Sequence, residues 1–180
     1  MLLSVKIWLD QQLVGGGVLI NHQYLVTLWH VVLQENVPAP LIHIQPSHIK
    51  ADKIAAEFSQ YYPFEQDIVE KDGLVLYHVA TSPPPWIQCA ANGLHLANLQ
   101  PMPTTQLQVK GFPNNQASGQ WQSLRLDGAL NDLCTQVSWH HDNSVGLQKG
   151  SSGCPVMLPD QQTVVGLIAW DKPNFQFGYM

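Results

Sequence analysis

Lys149-Gly150-Ser151-Ser152-Gly153-Cys154-Pro155-Val156 is the stretch whose reading decides the fold. A glycine two residues before Ser152 and another directly after it make room for a tight turn. Such a turn can aim two backbone N–H groups, those of Gly150 and Ser152, at one point. Preorganised donors of that kind stabilise a developing oxyanion, by about 3–4 kcal/mol per donor. Gly and Ser are also ordinary turn residues, so the stretch acquires chemical meaning only with partners elsewhere in the chain.

A serine hydroxyl is a weak nucleophile at neutral pH and needs a general base, normally His, and a third group that orients that base. The chain has eight His, and His30 stands out by its context. Gly15-Gly16-Gly17-Val18-Leu19-Ile20-Asn21-His22-Gln23-Tyr24-Leu25-Val26-Thr27-Leu28-Trp29-His30 reads as two apolar strands around a polar turn at Asn21-His22-Gln23. His30 then falls at the end of the second strand, on a rigid mount. For the orienting carboxylate, Asp72 opens the apolar run Asp72-Gly73-Leu74-Val75-Leu76-Tyr77-His78-Val79, and Asp67, in Gln66-Asp67-Ile68-Val69, is the alternative.

These segments resemble the trypsin-like, chymotrypsin-fold serine proteases. Thr27-Leu28-Trp29-His30 is similar to that family's Thr-Ala-Ala-His, Asp72-Gly73-Leu74-Val75-Leu76 to its Asp-x-Ala-x-Leu, and Gly150-Ser151-Ser152-Gly153-Cys154-Pro155 to its Gly-Asp-Ser-Gly-Gly-Pro. Val109-Lys110-Gly111-Phe112-Pro113 and Val164-Val165-Gly166-Leu167-Ile168-Ala169-Trp170 agree with two further family strands. The five matches keep the family order and cover nearly the whole chain. The resemblance implies His30 as general base, Asp72 as orienting carboxylate and Ser152 as nucleophile. It implies the N–H groups of Gly150 and Ser152 as the oxyanion hole. Around the substrate pocket it places Gly146 or Leu147 at the base and Ala169, Trp170 and Asp171 on the opposite wall. Neither base candidate is charged, which favours an apolar or small side chain; the Asp171 carboxylate leaves a basic one open.

The chain departs from the family pattern at three places. Ser151 stands where the family has Asp, so activation by pairing that Asp with a newly cut N-terminus is not expected. Cys154 stands where the family has Gly, and it is expected to be a small buried hydrophobe. Leu28-Trp29 replaces two small residues, and the indole must find a place against the first barrel.

Short apolar runs separated by turn signals at intervals of about ten residues predict an all-β protein; the best helical periodicity is confined to Ala51 through Phe58. With the resemblance, the expected architecture is two six-stranded antiparallel β-barrels with the active site in the crevice between them. The polyproline break at Thr81-Ser82-Pro83-Pro84-Pro85 divides the chain into a first barrel over residues 1–80, a connector over 81–103 and a second barrel over 104–180.

The 180 residues suit one such domain. A formal charge of −5, with 12% charged and 45% hydrophobic residues, argues against a nucleic-acid binder and against disorder. Three cysteines cannot all pair within the chain, and the start, Met1-Leu2-Leu3-Ser4-Val5-Lys6-Ile7-Trp8, lacks the pattern of a signal peptide; both suggest a reducing, cytoplasmic setting. No run approaches the length of a membrane span. The grouping Cys134-Thr135-Gln136-Val137-Ser138-Trp139-His140-His141-Asp142 lacks the spacing of a zinc site.

The reading that follows is a serine endopeptidase of bacterial cytosolic type, acting on a protein or peptide with no cofactor, no metal and no membrane. By analogy with such proteases, the expectation is a domain cut from a longer chain of a defence system, latent until a fused sensor or ATPase module activates it. The alternative is a protein-binding module that keeps the fold without catalysis.

Overall fold

The computed structural model describes residues 2–20, 24–47, 61–63, 74–79, 95–96, 106–112, 116, 118–129, 134–139, 150–172 and 175–179. Strands β1 (Leu2–Leu9) and β2 (Gln12–Ile20) form a hairpin. Its two turn residues, Asp10 and Gln11, have φ of 45° and 68°, the mirror-image turn that matches the twist of paired strands. On β2 lies β3 (Tyr24–Leu28), and on β3 lies β8 (Leu74–Val79), followed by β7 (Tyr61–Pro63); on the other side β6 (His43–Pro46) pairs with β1. The result is a six-stranded sheet in the order β6-β1-β2-β3-β8-β7, antiparallel throughout. A short hairpin of β4 (Leu33–Gln34) and β5 (Val37–Pro38) turns at Glu35-Asn36, again with both φ positive.

The second half contains β10 (Gln106–Gly111), β11 (Gln120–Ala129), β12 (Cys134–Trp139), β13 (Pro155–Met157), β14 (Thr163–Lys172) and β15 (Phe175–Tyr179). They pair in the order β13-β10-β11-β12-β15-β14, and β14 pairs back onto β13, so the ladder of six strands runs in a closed cycle. Closure satisfies the backbone groups that an edge strand would leave open. One further strand, β9 (His95–Leu96), from the stretch read as a connector, joins this sheet parallel to β14. The protein is therefore all-β, as the sequence predicts. Among the described residues the one helical element is a single 3₁₀ turn, Trp29–Val31. The helical expectation at residues 51–58 lies outside the described residues.

Strand alternation explains where the cores sit. Val5 and Ile7 of β1, Leu19 of β2, Leu25 of β3, Ile44 of β6, and Val75 and Tyr77 of β8 meet in one buried cluster inside the first sheet. Leu28 is fully buried there, and Trp29 packs against the same cluster partly buried; the bulky pair before His30 thus has its place in the first half. A second cluster gathers Leu107, Val109, Phe112, Leu124, Cys154, Val156, Val165 and Ile168, and takes Trp8 and Leu13 from the first hairpin. A third joins Val18 of β2 to Met157, Val164 and Leu167.

Strand β2 is consequently covered on both faces: residues 13 to 19 are buried except for Val14. Leu19 faces the first core and Val18 the second half. Each buried side chain of this size contributes about 1.5–3 kcal/mol of transfer free energy, so β2 is the element that joins the halves.

Candidate active site

The serine turn is built on two glycines with left-handed backbone, Gly150 at φ +104° and Gly153 at φ +76°, a region other residues enter at a cost. Its other bonds fix it on three sides. The Cys154 N–H donates to the Ser151 carbonyl at 3.1 Å, and the Gly153 N–H donates to the Ile168 carbonyl at 2.7 Å. Ile168 returns its own N–H to the Cys154 carbonyl at 3.0 Å. The Ser152 carbonyl accepts the Gly16 N–H of β2 at 2.9 Å. The Gly16 carbonyl in turn accepts the buried Thr27 hydroxyl at 2.7 Å, so β2 and β3 of the first half hold the serine turn of the second.

Gly15 and Gly16 of β2 are the seat of that turn. A Cβ on Gly15 would stand 2.6 Å from the Ser152 carbonyl oxygen, and one on Gly16 would stand 2.6 Å from Cys154 Sγ and 3.0 Å from Cys154 Cα. A Cβ on Gly153 would collide with the Gly16 carbonyl oxygen. Backbone meets backbone here, and any side chain would push the two apart.

The turn exposes one residue. From 150 to 157 every residue is buried except Ser152, which keeps partial access to solvent. The N–H groups of Gly153 and Cys154 are spent inside the protein, whereas those of Gly150 and Ser152 are not engaged by any group among the described residues. Cys154 is fully buried in the second core, and burial pushes its thiol pKa up, as expected of a small hydrophobe.

His30 sits in the 3₁₀ turn that continues β3, one step past the strand end where the sequence placed it. The Val32 N–H closes that turn on the Trp29 carbonyl at 3.2 Å. Val32 then accepts the Ala39 N–H at 2.7 Å, and the Ala39 carbonyl accepts the buried Tyr77 hydroxyl at 2.9 Å. His30 is half-buried with both ring nitrogens shielded from solvent. The same Gly15 Cβ point that lies 2.6 Å from the Ser152 carbonyl lies 2.9 Å from Val31 Cγ1. The His30 turn and the Ser152 turn therefore converge on one spot of β2.

The remaining candidates are placed less fully. Asp72 and Asp67 lie outside the described residues, as do Gly146 and Leu147. The register Leu28↔Leu74 sets the start of β8 beside the end of β3; in the sequence Leu74 follows Asp72 by two residues and Leu28 precedes His30 by two. Ala169, Trp170 and Asp171 lie in β14 directly after Ile168, the residue bonded to the serine turn, with Trp170 opposite Phe177 and Asp171 opposite Gln176 on β15.

Three contributors escape a reading of the sequence: the Thr27 hydroxyl, Gln122 on β11, and the role of Gly111 beside Ser151. A Thr at a strand end carries a local hint of a hydroxyl bond. Gln122 and Gly111 carry none, because their meaning depends on which strands are neighbours.

A six-stranded antiparallel sheet and a second sheet whose ladder closes on itself, with a glycine-built serine turn at their junction, define a chymotrypsin-fold protein. The Trypsin family model matches residues 3–177, and the chain belongs to that family. Among solved structures it is similar to human heparin binding protein, at 13% identity and a TM-score of 0.74 over 98% of this chain and 85% of that one. It is also similar to a scabies mite inactivated protease paralogue, at 14% identity and 0.65 over 98% and 87%. A third is a Mycobacterium tuberculosis H37Rv protein solved as an inactive serine-to-alanine mutant, at 15% and 0.63 over 98% and 80%. No curated protein matches the chain by sequence. Likeness at these identities speaks to the fold, and it includes an inactivated paralogue.

Proposed function

We propose that the chain is a serine endopeptidase that hydrolyses peptide bonds through an acyl-enzyme. The observation that carries this reading is the serine turn: two left-handed glycines, backbone bonds on three sides, and Ser152 alone retaining solvent access between residues 150 and 157. A turn that only connected strands would have no need to present one hydroxyl from a fully buried frame.

Ser152 Oγ attacks the scissile carbonyl. His30 takes its proton and returns it to the leaving amine, while Asp72 fixes the imidazole tautomer and stabilises the imidazolium. The unengaged N–H groups of Gly150 and Ser152 stabilise the oxyanion. Water then attacks the acyl-enzyme with His30 as base. Asp72 enters on the resemblance of its segment and is supported by the Leu28↔Leu74 register. Gly146 or Leu147 forms the base of the primary pocket, and Ala169, Trp170 and Asp171 its wall. The setting is cytoplasmic, the substrate a protein or peptide, and a fused or partner module releases a latent state in bacterial defence.

The test is hydrolysis of a mixed peptide library by the wild-type chain and by Ser152→Ala. Cleavage by the first, reduced several orders of magnitude in the second, supports the reading. Equal cleavage by both rejects the mechanism; no cleavage by either is the outcome shared by the latent state and by a binding module without catalysis, and the fold does include an inactivated protease paralogue.

A further inference from the structure

Ser151 neighbours the proposed nucleophile and is 1% exposed, yet its hydroxyl has no hydrogen-bond partner among the described residues. A buried hydroxyl left so costs about 1–3 kcal/mol, and each such group in a native fold calls for an explanation. Its surroundings supply one. Gly111 ends β10, and a Cβ there would collide with Ser151 Oγ and stand 3.1 Å from Ser151 Cβ. The side-chain oxygen of Gln122, on the neighbouring strand β11, lies 3.5 Å from the same point. Gln122 is itself 4% exposed. The bare backbone of Gly111 thus lets Ser151 Oγ and the Gln122 side-chain oxygen approach one point between the serine turn and the second-half sheet. A carboxamide oxygen has two lone pairs, so Gln122 can accept the Ser151 hydroxyl alongside its other contacts. A change of the Ser151 χ1 rotamer, or one bridging water, joins them.

We propose that Ser151 and Gln122 are positioning residues, a neutral hydrogen-bonded latch seated over Gly111 that fixes the serine turn and so aims the Gly150 and Ser152 N–H groups. The proposal rests on Ser152 as nucleophile. A carboxylate at position 151 would be a buried charge in need of a buried cation. A hydroxyl needs only an acceptor, and neither member of this pair ionises at ordinary pH. The latch itself therefore neither gains nor loses a proton at ordinary pH and needs no newly made charged terminus.

The experiment compares the full chain with Ser151→Ala, Gln122→Met and the double variant. Hydrogen exchange of the peptide covering residues 150–154 is read together with kcat, KM and Tm. The latch predicts exchange about tenfold faster in each single variant, and no faster in the double, because one hydrogen bond is lost in all three. It also predicts kcat about tenfold lower at unchanged KM, with Tm moving by less than about 2 °C. Wild-type exchange in Ser151→Ala, or additive effects in the double variant, would overturn it. So would faster exchange with kcat unchanged. If Gln122→Met does not fold, Ser151→Ala decides alone. If the wild-type chain hydrolyses nothing, the exchange arm still decides the latch, and only the catalytic reading fails.

Discussion

The turn that carries His30 and the turn that carries Ser152 are held in opposite ways. The His30 turn depends on its own half: its closing bond, its link through Val32 to Ala39, and the Tyr77 hydroxyl on Ala39 all belong to the first sheet and its loops. The Ser152 turn depends on both halves. Its carbonyl is bonded to Gly16, its close packing is against Gly15 and Gly16, and Gly16 is steadied by Thr27. His30 is thus placed locally, while Ser152 is placed only once the halves are packed. Damage to β2 should be felt first at the serine, and damage around Ala39 first at the histidine.

The largest expected effect is at Gly16. In Gly16→Ala the new Cβ falls 2.6 Å from Cys154 Sγ and 3.0 Å from Cys154 Cα, and the clash involves backbone. Overpacking of that kind costs roughly 1–3 kcal/mol or more. Denaturant unfolding should show the loss, and exchange of residues 150–154 should rise although the substitution is in the first half. If exchange rises only around residues 29–32, the two turns are not held as described.

Thr27→Val should come next. It removes the hydroxyl that donates to the Gly16 carbonyl at 2.7 Å and leaves a buried acceptor unsatisfied, at about 1–3 kcal/mol. Its effect on the serine turn should exceed its effect on the His30 turn, as read by the same exchange measurement.

Tyr77→Phe reverses the pattern. It loses the bond to the Ala39 carbonyl, worth about 1 kcal/mol, and should loosen residues 29–39 while leaving the serine turn alone. It also carries a pH signature. Burial pushes the Tyr77 phenol above its ordinary pKa, so the unfolded chain releases this proton first. The stability that Tyr77 contributes is fully present below about pH 10 and declines as pH rises beyond it. Tyr77→Phe should flatten that alkaline decline in urea midpoints; an unchanged decline would assign it to other groups.

The smallest effect concerns Cys154. Its thiol is buried and its pKa is raised, so the thiolate needed for alkylation is absent at neutral pH. Iodoacetamide should leave the Cys154 peptide unmodified in the native protein and modify it in denaturant. Native modification would mean that the seat of the turn opens.

Much of this division was legible in the chain. The glycines around Ser152, the strand before His30 and the alternation of the second-half strands are local patterns, and local patterns survive into the fold. The sequence also placed Cys154 inside and Trp29 against the first half. It did not disclose why three glycines sit in β2. Locally they weaken a strand; the reason for Gly15 and Gly16 is a contact with Ser152 and Cys154, far along the chain, and that for Gly17 is the close approach of the Val26 carbonyl on β3. The pairing of β9 with β14 and the meeting of Gly111, Gln122 and Ser151 are equally non-local, since strand neighbours decide them and no window of sequence contains both sides. His30 shows the limit at short range: a strand end and one 3₁₀ turn differ by a single backbone bond.

The most direct test of the central claim is mass spectrometry of the purified chain after incubation with a fluorophosphonate, run alongside His30→Ala. A competent serine turn beside its base predicts one adduct, mapped to Ser152 and lost in His30→Ala. An adduct on another residue, or equal labelling of the two proteins, would contradict the account. So would failure of the wild-type chain to label with exchange at residues 150–154 already slow, since an ordered turn would then lack the chemistry assigned to it.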